Sequence, residues 1–174
     1  NEFSKHLFAA YKEKADFEAK QMHDWNSAKL YSDKALNAAS GKLILPEKIE
    51  YWKISPEKSN EIIAGYNNLM VIYNDAIKID PFNLAKAISS LDCWGEQQEE
   101  SWQIWDIKKC RDDFLNAMHL IYAKIEKDEK NHSQKFIEEQ KKKNIATIVT
   151  KDNNNNILHI VYFDFDKSNL SLVS

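Results

Sequence analysis

Glycine and proline are scarce, three of each in 174 residues. So few backbone breakers argue against a fold built on many tight turns and predict long elements. Arginine is nearly missing: Arg111 stands alone against 23 lysines, a bias that fits an AT-rich coding genome and carries no functional inference. Positive charge is not in excess either. A net charge of −3 removes any strong electrostatic case for a nucleic-acid partner. No apolar run approaches the length needed to cross a bilayer. Catalytic and cofactor motifs are also missing. His6, His23, His119, His132 and His159 are scattered, with no HExxH or other ligand spacing, and there is no Walker loop and no GxGxxG. Glu99 and Glu100 are neighbours whose side chains diverge on a helix, so they do not form a glycosidase pair. Neither a metal, a cofactor nor an enzymatic activity is expected.

What is present is a packable helical sequence. Hydrophobic residues make up 43%, with frequent aromatics. Phe3, Leu7, Tyr11, Ala15, Ala19 and Met22 recur at near-helical spacing over 3–22, and Ala28, Tyr31, Ala35 and Ala38 share one face of a helix over 26–39 that Gly41 closes. Together they are similar to a tetratricopeptide-type hairpin, in which small alanines let two helices approach across a short HDW turn. No second copy follows at the repeat period, so a solenoid is not expected. Residues 43–54 are irregular, with a short helical turn predicted after Pro46. Ser55-Pro56 then reads as an N-cap followed by proline at the first helical position. The helix it opens carries Ile62, Tyr66, Leu69, Tyr73 and Ala76 or Ile77, and Asp80-Pro81 breaks it.

The stretch 90–111, SLDCWGEQQEESWQIWDIKKCR, holds both cysteines and three of the five tryptophans. Apolar spacing runs up to it through Leu84, Ile88 and Leu91, and away from it through Cys110, Phe114, Ala117, Ile121 and Ile125. The amide-and-carboxylate run 96–100 interrupts that periodicity, and the stretch 90–111 is predicted as the tip of a helical hairpin. Cys93 and Cys110 lie about equally far from the middle of the segment between them, and antiparallel helices would bring them to one height, where a disulfide is geometrically plausible. Cys110 is central on its apolar stripe and Cys93 lies on the flank of its own. Buried free thiols, a zinc site lacking two further ligands, and a redox pair outside the usual CxxC turn are the competing readings. Trp94, Trp102 and Trp105 either pack the tip against a neighbouring helix or form an exposed aromatic surface, ringed by Glu and Gln, for docking a protein or glycan.

Past residue 126 the apolar stripe thins to Phe136 and Ile137 among Glu, Asp and Lys, which predicts a charged helical stalk or linker over 127–144. Beyond it the period becomes strand-like. IATIVT and ILHIVYFDF flank an asparagine-rich turn at 152–156, so a β-hairpin is predicted in 145–174. Both faces of 157–165 are apolar, and an uncovered edge there predicts pairing with a second copy of the chain.

The segment VYFDFDKSNLS, with Phe163, Asp164, Phe165 and Asp166, resembles the opening strand of the OmpA-like, peptidoglycan-associated domain. DCWGEQQEESWQIWDIKKCRDDF is similar to the CW…EQQEE…W…DI…CR signature of helical domains that precede OmpA-like domains in bacterial envelope proteins. The resemblance implies an exported periplasmic protein, anchored at the outer membrane by a lipid on an upstream cysteine. It also implies a further C-terminal domain that holds peptidoglycan, whose ligand residues lie past the FDFD strand and cannot be assigned here. With no initiating methionine and an end inside a predicted element, the chain is expected to be a piece of such a protein. A strand motif longer than usual before FDFD and the lack of an anchoring cysteine are departures from the family pattern.

The combined expectation is a mainly α protein: an antiparallel helical bundle with tetratricopeptide-like hairpins over 1–126, the stalk over 127–144, and a C-terminal β-hairpin over 145–174. Its expected role is non-enzymatic, as an interaction and spacer domain linking outer membrane to peptidoglycan. A cytosolic tetratricopeptide-like adaptor binding a peptide is the alternative. A cell-wall hydrolase is a third reading, without a catalytic constellation in its favour.

Overall fold

A computed structural model of the protein describes the backbone of residues 1–147 and the side chains of residues 1–140. It falls into two compact units, Asn1–Ser133 and Gln134–Ser174. Helices dominate the described residues, and no strand occurs among them.

α1 spans Glu2–Phe17, begun by the Asn1 side chain, which accepts the Ser4 amide at 2.7 Å. Phe3, Leu7, Tyr11 and Ala15 form its buried stripe. The predicted helix over 3–22 is not uniform. Its last turn, Glu18–Met22, is π-helical, and the chain leaves through His23 in the left-handed region at φ 57°. The Glu18 carbonyl accepts the amides of both His23 and Asp24, which closes this wide turn. Asp24 then caps α2, Trp25–Ala39, accepting the amides of Asn26 at 2.8 Å and Ser27 at 3.2 Å. α1 and α2 pack as an antiparallel hairpin, and Gly41, at φ 78°, ends α2 as predicted.

A single 3₁₀ turn, Ile49–Tyr51, interrupts the loop that leads to α3, Pro56–Ile79. Ser55 occupies the N-cap position and Pro56 the first turn, although no Ser55 side-chain cap is made. Asp80 separates α3 from α4, Pro81–Glu100, and its buried carboxylate accepts from the Asn83 side chain at 2.6 Å. α4 is the central element: it packs against both α1 and α3, and most of its residues are buried.

α5 spans Ile104–Thr147. It returns antiparallel to α4, because Cys110 is bonded to Cys93 with Cα atoms 5.6 Å apart while Lys124 further along pairs with Asp80 at 2.9 Å. Its stripe of Cys110, Phe114, Ala117, Met118 and Ile121 closes the core. Burying each large apolar side chain of this set contributes about 1.5–3 kcal/mol.

One expectation is narrowed and one is corrected. The hairpin tip read within 90–111 does not include the polar run 96–100. α4 continues to Glu100, and only residues 101–103 form the turn, with Ser101 in the left-handed region at φ 62°. Glu96 and Gln97 are buried, so the polar run is an inward-facing part of the helix, a pattern that apolar periodicity cannot register. Residues 145–147, read as the start of a strand, continue α5. Extending an existing helix needs no new nucleus. The rest of the expected β-hairpin, with Phe163, Asp164, Phe165 and Asp166, lies outside the described residues. Along 129–140 every side chain is exposed, including Phe136 and Ile137.

Candidate functional site

Asp92, Glu96 and Glu100 follow one another at single-turn spacing and share one face of α4. The α1–α2 hairpin covers that face with Tyr11, Lys14, Glu18, Ser27, Tyr31 and Lys34. At its inner end Asp92 is fully buried and has three donors: the Tyr11 hydroxyl, the Lys34 ammonium and the Glu47 amide, each at 2.6 Å. Lys34 is satisfied in turn by Glu47 Oε1 at 2.9 Å and the Leu45 carbonyl at 3.1 Å. Burial raises the Asp92 carboxyl, and the Lys34 charge and hydrogen bonds pull it back. Four parts of the chain therefore meet on one carboxylate, which fixes how the hairpin and the 43–54 loop sit on α4.

One turn further out, the Tyr31 hydroxyl donates to Glu96 Oε2 at 2.7 Å, and the Tyr11 and Tyr31 rings stack with centroids 6.0 Å apart. Here the donors run out. Glu96 Oε1, Gln97 Oε1 and Glu100 Oε2 are buried without a hydrogen-bond partner. The Glu18 carboxyl, held by the π turn, is pushed up to about 8 by burial first and then by the negative charges of Glu96, Glu100 and Asp24. Glu96 is raised by burial, and Glu100 by burial, then by Glu96, Asp24 and Asp106. Lys14, the cation facing this group, is itself lowered by burial. Chemically the arrangement retains a proton near neutral pH.

Asp24 opens α2 and Asp106 lies in the first turn of α5, and both act on Glu100. The α1–α2 and α4–α5 turns are thus at the same end of the first unit. That end also carries exposed aromatic surface: Trp25 is 68%, Trp102 64% and Trp105 68% exposed, and Ile104 is exposed beside them. The two readings of the three tryptophans therefore divide. Trp102 and Trp105 face solvent, whereas Trp94 is 3% exposed and packs in the core against Phe114, with Arg111 over its ring at 5.8 Å.

Cys93 and Cys110 are joined by a disulfide that ties α4 to α5 just inside the tip, so the exposed tryptophans stand on a cross-linked turn. A separate groove of about 460 Å³ between α3 and α5 has Trp94 and Gly65 in its lining, with Glu61, Asn68, Arg111 and His119 as its polar groups. None of the buried carboxylates reaches it. Among the described residues no group of three or more His, Cys, Asp or Glu side chains is placed to hold a metal ion. No described helix is long and apolar enough to cross a membrane.

No protein-family model, curated protein or solved structure matches this chain.

Sequence reading located the cysteines and Trp102 and Trp105 but missed Trp25, Glu18, Asp92 and Glu96. A usable signal existed for α4, where Asp92, Glu96 and Glu100 fall at positions i, i+4 and i+8 of one helix. For Glu18 and Trp25 there was none, because each is defined by what packs across from it.

Proposed function

We propose that the chain is a non-enzymatic interaction and spacer module of a cell-envelope protein of the OmpA-like, peptidoglycan-associated family. On this reading it works in the periplasm, as part of an outer-membrane-associated lipoprotein whose C-terminal domain holds peptidoglycan. The observation that carries the reading is the Cys93–Cys110 disulfide. A structural disulfide persists in oxidising compartments such as the periplasm and is rare in the cytosol, and the two cysteines bracket the CW…EQQEE…CR stretch on which the family resemblance rests. The FDFD motif, Phe163 to Asp166, would belong to the start of the peptidoglycan-associated domain, and residues 145–174 would pair with a second copy.

The test is the thiol state and the location of the native protein. Cells are lysed into acid with a thiol-blocking reagent, the periplasmic and cytosolic fractions are separated, and peptides containing Cys93 and Cys110 are mapped without reduction. Linked peptides in the periplasmic fraction are the expected result. Blocked thiols in a cytosolic fraction would overturn it and favour the second reading, a tetratricopeptide-like adaptor in the cytosol. The second reading has in its support the alanine-rich contact of α1 with α2, where Ala15, Ala28, Ala35 and Ala38 are buried.

A further inference from the structure

Resting on that interaction-module reading, we infer that the end of the first unit bearing Trp25, Trp102, Ile104 and Trp105 docks a cationic, lysine- or arginine-rich segment of a partner protein. The first ground is surface chemistry. Three exposed indoles and an exposed isoleucine gather on two turns at one end, and tryptophan is the side chain whose face attracts a cation most strongly.

Charge supplies the second ground. Asp24, Glu96, Glu99, Glu100 and Asp106 belong to the same two turns and to the helix ends they join. Among the described residues none of them has a lysine, arginine or histidine nitrogen within 4.0 Å. The lysines closest in sequence are already engaged: Lys20 with Asp16, Lys108 with Asp112 and Lys109 with Asp113. Lys14 of α1 faces Glu96 but is lowered there by burial, so one cation meets several carboxyls and the end carries a net negative field framed by aromatic faces. Beneath it, Glu96 Oε1 and Glu100 Oε2 are carboxylate oxygens without a donor, which marks the shortage of positive charge independently of the surface count.

A cation-bearing segment is the partner this combination selects. An acidic peptide or an anionic lipid surface meets like charge, and a purely apolar partner leaves the carboxylates to be desolvated without compensation. The surface is also preorganised. The disulfide and the short turn 101–103 hold Trp102 and Trp105 in place, so little ordering accompanies docking.

The test is a tryptophan-fluorescence and calorimetric titration of the full chain, disulfide intact, with oligolysine. Oligoglutamate of equal length and anionic phosphatidylglycerol vesicles are the comparisons. Oligolysine is expected to bind, and to bind more weakly as salt rises, while the other two do not. Replacing Trp102 and Trp105 together by alanine is expected to weaken oligolysine about tenfold, and E99Q/E100Q to weaken it comparably. Trp102 and Trp105 are exposed, so an unchanged circular-dichroism melt of their variant shows that the fold is intact. Oligolysine binding no better than oligoglutamate, a tryptophan variant binding as well as wild type, or a preference for the vesicles would each overturn the assignment. None of these results bears on the compartment or the thiol state, so the envelope reading stands or falls separately.

Discussion

Asp92 holds the hairpin and the 43–54 loop to α4 through three donors, one of them charged, with no solvent to replace any of them. Removing one partner of a buried, hydrogen-bonded pair costs about 3–5 kcal/mol. Asp92→Ala should therefore lower the free energy of unfolding by that order in a denaturant titration. Lys130→Ala, which removes an exposed pair with Glu126, should cost only about 0.3–0.5 kcal/mol. Glu18 behaves in the opposite sense, because its site opposes ionisation. Its carboxyl sits at about 8 in the folded chain against an ordinary value of 4.5, facing Glu96 and Glu100 from α4, Asp24 from the turn and Lys14 from its own helix. The folded state keeps the proton that the unfolded chain has lost, so this contribution is complete below pH 4.5 and is lost as pH rises to about 8. Glu18→Gln should flatten that fall, leaving the variant more stable than wild type at pH 8 and nearly equal to it at pH 4.5. A variant with the same slope of melting temperature against pH as wild type would contradict the assignment of the proton to Glu18.

Among the elements, α4 shows how a helix can be polar in sequence and still be the core. Its apolar residues face α3 and α5, its acids face the hairpin, and Gly95 admits Trp52. An added Cβ at Gly95 would lie 2.7 Å from indole atoms of Trp52, too close for a rigid ring to accept without moving. Gly95→Ala is good for helix propensity, yet it should destabilise by about 1–3 kcal/mol through overpacking. A thermal melt would decide the sign. The α4–α5 turn owes its definition to the disulfide, whose loop has a sequence separation of 17. Reducing a loop of that size should cost about 3 kcal/mol on the chain-entropy account. Denaturant unfolding with and without reductant measures it, and Cys93→Ser/Cys110→Ser should reproduce the reduced value and then be indifferent to reductant.

At the scale of the whole molecule, the buried core of the described residues lies inside Asn1–Ser133. A chain of residues 1–133 should therefore unfold cooperatively with a stability within about 1 kcal/mol of a chain of residues 1–140, since the side chains of 134–140 are all exposed. The same fragment tests the pairing proposed for 145–174. Light scattering should report a dimer for the full chain and a monomer for 1–133; equal protomer counts would remove that proposal.

The sequence by itself determined the helical class, the placement of α1 to α5 to within a few residues and the proline breaks at Pro56 and Pro81, and it put Cys93 and Cys110 at matching heights, where the structure decided for a disulfide over free thiols or a metal site. These follow from local periodicity, caps and the reach of two helices joined by a short turn, all of which are written along the chain. Only the tertiary structure decided that the run 96–100 faces inward, that Trp94 is core while Trp25, Trp102 and Trp105 are surface, and that Glu18 joins Glu96 and Glu100. The physical reason is the same in each case. Whether a polar or aromatic side chain is buried depends on the donors, charges and small residues that other helices bring to it, and those partners are distant in sequence: Tyr31 from Glu96, Trp52 from Gly95, Tyr11 and Lys34 from Asp92.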